Sequence, residues 1–80
     1  MSETITVSLT LHAVLRDITG RHDRFPVVLK RGSRVSDLIH AVGLREDDAG
    51  MVVIRGRLVD HDCVLCDGME VDVFPPLSGG

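Results

Sequence analysis

The 80-residue sequence has no Trp and no Tyr, and Phe25 and Phe74 are its two aromatic residues. Stacking platforms for unpaired bases are therefore missing, and whatever core forms must be aliphatic. Cationic charge is thin as well: nine Lys and Arg against twelve Asp and Glu leave a formal net charge of −3, with no basic cluster. Binding a phosphate backbone requires such a cluster, so nucleic acid is not expected as a partner. No apolar run approaches the roughly 18 residues that mark a membrane span. Residues 1–10 lack the basic start and apolar centre of a signal peptide, so the expectation is a cytoplasmic protein with no membrane partner. Two cysteines, Cys63 and Cys66, are too few for a disulfide framework and fit a reducing compartment. No G-x-S-x-G, P-loop, H-E-x-x-H or paired-carboxylate arrangement occurs, so an independent enzyme is not expected.

What the chain does have is Val, Leu and Ile in two clear periods. Ile5, Val7, Leu9 and Leu11 alternate with Thr6, Ser8, Thr10 and His12, the pattern of a half-buried strand. "AVLRDITG" and "RHDR" read as a connection closed by Gly20, and "RFPVVLK" as a second strand with Phe25, Val27 and Leu29 on one face. Pro26 has no amide hydrogen to give to a ladder, which puts that strand at a sheet edge. In "GSRVSDLIHAVGL", Val35, Leu38, Ile39 and Val42 form a helical stripe, with Gly43 at the C-terminal cap, Ser33 or Ser36 as the N-cap and Asp37 suited to the helix dipole.

The acidic "REDDAG" reads as a solvated loop, "MVVIRGRLVD" as a strand broken by Gly56, and "HDCVLCDG" as a short strand or turn. "MEVDVF" is a last strand in which Met69, Val71 and Val73 alternate with Glu70 and Asp72. The order predicts one α+β domain, a mixed sheet of four to five strands with one main helix across it. It suits a sheet whose first and last strands lie parallel at its centre.

The remaining question is which residues carry chemistry. "CVLC" has the spacing of a redox pair or half a zinc site, but it lies between strand-like segments, and His12, His22 and His40 offer no matching ligand spacing. Cys63 and Cys66 are therefore read as packing residues in a turn, each histidine as a solvated or edge residue, and no metal site is expected. That leaves "FPPLSGG", residues 74–80, where two rigid prolines precede two flexible glycines. The expected division is a folded body of residues 1–74 and a flexible tail of residues 75–80. Phe74 and Leu77, with Leu58, Val59 or Met51 beside them, are expected to form an apolar docking patch.

These segments together carry a family resemblance. The opening strand followed by "LRDITG", the helix in "RVSDLIHAVGL", the run "VVIRGRLVDHDCVLCDGMEVDVFPP" and the final "SGG" resemble the MoaD and ThiS group of ubiquitin-like sulfur carriers, which have the β-grasp fold. "FPPLSGG" looks more like the MoaD branch, the small subunit of molybdopterin synthase. Arg34, Arg55 and Met69 depart from the family's usual residues at local turns.

The resemblance implies that the Gly80 carboxylate is adenylated by a ubiquitin-activating-type (MoeB/ThiF-like) adenylyltransferase using ATP, then converted to a thiocarboxylate. It implies that Phe74, Pro75, Pro76, Leu77, Ser78 and Gly79 contact partners. Those partners would be the adenylyltransferase, a sulfur donor such as a cysteine desulfurase or rhodanese, and an acceptor such as the molybdopterin synthase large subunit. The chain itself would bind no cofactor. Alternatives are a ThiS-like carrier for thiamine, cysteine or another sulfur metabolite, a ubiquitin-like protein modifier, or an interaction module with an inert tail.

Overall fold

The alternating segment forms β1 (Thr4–Leu11), whose Ile5, Val7, Leu9 and Leu11 are buried while the intervening residues face the other side of the sheet. The structure, a computed structural model, describes residues 3–77. After β1 come α1 (Val14–Thr19), β2 (Phe25–Lys30), α2 (Val35–Ala41), a 3₁₀ turn (Glu46–Asp48), β3 (Val52–Ile54), β4 (Arg57–Val59) and β5 (Glu70–Val73). The sheet has five strands in the order β2-β1-β5-β3-β4. β1 and β5 pair in parallel at its centre, and every other pairing is antiparallel. β2 lies at the edge, where Pro26 sits opposite Ser8 without leaving an interior ladder bond unmade. This is the mixed-sheet, one-main-helix architecture of a β-grasp fold.

One face of the sheet carries the core. Leu9 and Leu11 of β1, Val71 and Val73 of β5 and Val52 and Ile54 of β3 are buried against Val35, Leu38 and Ile39 of α2. Each such side chain contributes about 1.5–3 kcal/mol on burial, which is why a seven-residue helix holds its place at all.

Several expectations about local structure are corrected. "AVLRDITG" contains a helix, α1, and not a plain connection; Leu15 alone of its residues is buried, while Val14 and Ile18 are exposed. α2 is not capped by Ser33 or Ser36. The N-cap position is Arg34, whose N–H donates to Asp37 Oδ2 at 2.8 Å. The next orphan amides are met from a distant loop: Val35 N–H donates to the Cys63 carbonyl (3.0 Å) and Ser36 N–H to the His61 carbonyl (2.9 Å). The C-cap is Val42, with Gly43 following at φ 84°.

"HDCVLCDG" is accordingly a loop that caps this helix, with an isolated bridge between Arg34 and Val64 outside the strands, and it meets β1 where Gly68 N–H donates to the Thr6 carbonyl at 2.8 Å. "MVVIRGRLVD" is a hairpin, β3 and β4 joined at Arg55 and Gly56 with φ of 54° and 76°, the left-handed pair of a two-residue turn. In the acidic loop, residues 46–48 make a short 3₁₀ turn that contains no buried residue.

Candidate functional site

β5 sits between β1 and β3, so whatever follows it leaves the fold from the centre of the sheet. The ladder continues one residue past Val73. Phe74 N–H donates to the Met51 carbonyl and the Phe74 carbonyl accepts the Gly50 N–H, both at 2.8 Å, while His12 N–H donates to the Val73 carbonyl at 3.1 Å. Pro75 and Pro76 have no N–H and so end the ladder. Pro75 is half-buried, Pro76 is exposed and Leu77 is 88% exposed. Ser78, Gly79 and Gly80 lie outside the described residues.

Phe74 does not stand alone. Its ring stacks on His12 with centroids 4.2 Å apart and planes 10° from parallel. His12 Nε2 lies 3.0 Å from Asp72 Oδ1, and because an ionised carboxylate only accepts, this nitrogen carries the proton in that contact. The three residues come from the ends of the two central parallel strands and lock one another: Asp72 fixes the imidazole, and the imidazole fixes the phenyl ring. His12 thus differs from the solvated or edge residue expected of it.

The sheet face opposite the core is left uncovered by α2. Register places Leu58 opposite Val53, Val53 opposite Asp72 and Asp72 opposite Thr10, all on this face. Met51, Phe74 and His12 form the next row, with Met51 and Phe74 joined by the ladder bond above. The apolar part is thus Met51, Val53, Leu58 and Phe74, with Leu58 68% exposed. Val59 does not belong to it. Period-two alternation turns Val59 to the opposite face, opposite Val52, where it packs on the core. Leu77 lies beyond the prolines and is exposed.

Three residues that the sequence reading left out are placed at the site: His12, Val53 and Gly50. The first two were within reach of the alternation rule once β1, β3 and β5 were aligned. Gly50 had no sequence signal, because its importance is the absence of a side chain where another segment passes.

Cys63 is half-buried against the core and Cys66 is exposed, both as free thiols. They belong to the loop that caps α2, away from any helix start of their own. Among the described residues, no group of three or more His, Cys, Asp or Glu is arranged to hold a metal ion. His61 Nδ1 lies 3.8 Å from Glu46 Oε1, a pair that links the capping loop to the acidic turn.

A structure from Pyrococcus furiosus assigned as molybdopterin converting factor, subunit 1, superposes with a TM-score of 0.74 at 30% identity over 91% of this chain and 99% of its own. The HVO 2177 protein of Haloferax volcanii matches with a TM-score of 0.78 at 25% identity, covering 100% of this chain and 91% of that one. The small archaeal modifier protein 1 of H. volcanii shares the fold, with a TM-score of 0.74 at 19% identity over 91% of this chain and 99% of its own. The ThiS family model matches residues 9–80, from Leu9 within β1 through Gly80. The chain therefore belongs to the ThiS family of ubiquitin-like, β-grasp proteins.

Proposed function

We propose that this chain is a sulfur carrier of the MoaD type, acting through the carboxylate of Gly80 in molybdopterin formation. The observation that carries the reading is the way the central strand ends: the ladder stops at Phe74, and Pro75 and Pro76, which have no N–H, cannot continue it. Family membership supports it, and the assignment of the Pyrococcus relative favours the molybdopterin branch over a thiamine-type one.

On this reading residues 1–74 are the docking body and residues 75–80 the arm. A carboxylate is a poor electrophile, so it is activated in the site of an adenylyltransferase partner. A carboxylate oxygen attacks the α-phosphorus of ATP and pyrophosphate leaves. A persulfide on a sulfur donor such as a cysteine desulfurase or rhodanese then attacks the acyl carbon and AMP leaves. A thiol reductant cleaves the resulting acyl disulfide and frees the thiocarboxylate. The chain binds no cofactor of its own. Gly79 and Gly80 lack a Cβ, which suits a narrow entry channel, and Pro75 and Pro76 limit the entropy lost as the arm enters. Met51, Val53, Leu58 and Phe74 supply the surface on which the adenylyltransferase and then the sulfur acceptor, of the molybdopterin synthase large-subunit type, dock in turn.

Intact mass spectrometry tests this reading. Incubation with ATP, a cognate adenylyltransferase and a persulfide donor is expected to exchange one carboxylate oxygen for sulfur, and a chain lacking Gly80 is expected to stay unchanged. An adduct on a lysine ε-amine in place of the sulfur exchange would assign the chain to the modifiers. Absence of both products with several adenylyltransferases would leave it an interaction module.

A further inference from the structure

Gly50 is a glycine whose backbone does not ask for one. Five other glycines, among them Gly43 and Gly56, hold positive φ, and Gly50 is not in that group. What singles it out is space. A Cβ placed on Gly50 would lie 2.6 Å from Pro76 N and 2.9 Å from Pro75 C, with Pro76 Cα closer still, whereas a Cβ on each of those five would meet nothing within 4 Å. The atoms in the way are backbone, so no rotamer change relieves the clash. The Gly50 N–H also holds the Phe74 carbonyl at 2.8 Å, so the segment is pinned immediately before it crosses the glycine. On the other side of that segment, Phe74 is stacked on His12, which Asp72 fixes in turn.

We infer that Gly50 is a seat for the root of the tail, and that with the His12–Phe74 stack it sets the path of the chain through Pro75 and Pro76. The inference rests on the carrier reading for its purpose and on geometry for its existence. A tail that leaves in one fixed direction loses less freedom when a partner's channel takes it up. A tail released from the seat has the same carboxylate but must be aimed at each encounter. Gly50 is thus a positioning residue: it touches neither ATP nor the reacting carbon, and its loss falls on capture of the tail.

The test compares Gly50→Ala with wild type in two lengths, the full chain and a chain ending at Phe74. In the full chain the substitution is expected to abolish the nuclear Overhauser contact between the α-protons of residues 50 and 76 and to lower the melting temperature. In the chain ending at Phe74 nothing lies over Gly50, and the same substitution is expected to leave the melting temperature unchanged or to raise it. An equal loss in both lengths, or a 50–76 contact that survives in the alanine variant, would overturn the seat.

With an adenylyltransferase that activates the wild type, Gly50→Ala is expected to raise KM for the carrier about tenfold, within the cost of a small misplacement, while kcat stays unchanged. An unchanged KM would overturn the aiming role, and so would a loss confined to kcat. If the wild type is activated by no adenylyltransferase, the carrier reading fails, and the comparison of the two lengths still decides the seat.

Discussion

Ala13 occupies a backbone conformation suited to glycine, with φ 54° and ψ −133°. It lies in a tight turn in which Leu15 N–H reaches the His12 carbonyl at 3.2 Å, and these torsions match the first central position of a type II′ turn. Ala13→Gly is therefore expected to stabilise the protein by about 1 kcal/mol, the relief of strain exceeding the added freedom of the unfolded chain. Urea denaturation would show a higher midpoint at an unchanged slope; a lower midpoint would mean that the turn holds no strain. Gly50 is the converse case, ordinary in torsion and lacking room. Neither was legible from the sequence, because composition does not reveal which torsion a residue adopts or what passes over it. The apolar alternation of residues 5–11 was legible, since period two follows from the pleat itself.

At the scale of elements, the readings that held were those in which a segment's own residues decide the outcome. The stripe of Val35, Leu38 and Ile39 marked α2, and Pro26 marked the edge strand. The expected cap of α2 failed because the partners that replace it are remote in sequence. Ser33 and Ser36 are reasonable caps by local rules, yet carbonyls of residues 61 and 63 satisfy the helix amides. The β3–β4 hairpin was read as an interruption at Gly56, because Arg55 at the preceding position is an uncommon residue for a turn that prefers Asn-Gly. Arg55→Asn is accordingly expected to raise stability by about 0.5–1 kcal/mol, since Asn tolerates the left-handed region better than Arg. The shift in thermal midpoint would measure it, and no gain would show that the Arg55 side chain compensates for its torsion. The site was partly legible in the same sense: Phe74 and the prolines announced themselves, whereas their neighbours His12 and Val53 needed the strand register.

Considered as a whole, the protein has a single aliphatic core on one side of its sheet and an open face on the other. No second core exists among the described residues to hold part of the fold if this one is damaged. Leu38, fully buried at the middle of α2, should cost about 3 kcal/mol when cut to alanine. For a domain of this size that is a large share of the total stability. Leu38→Ala should lower the urea midpoint as seen by far-UV circular dichroism and by the His12 proton resonances alike, because core and tail root melt together. Separate transitions for the two probes would show that the Phe74 end opens on its own.

The strand that joins the sheet is also, among the described strands, the last in chain order. β1 with β2, and β3 with β4, are hairpins closed by neighbours in sequence, but β5 alone bridges the two pairs. Without residues 70–73 the two pairs share no ladder, and long-range closure of this kind is intrinsically slow. Translation that stops before this point leaves neither a finished surface nor a tail. Closure of the sheet and placement of residues 74–77 at its end are thereby one event.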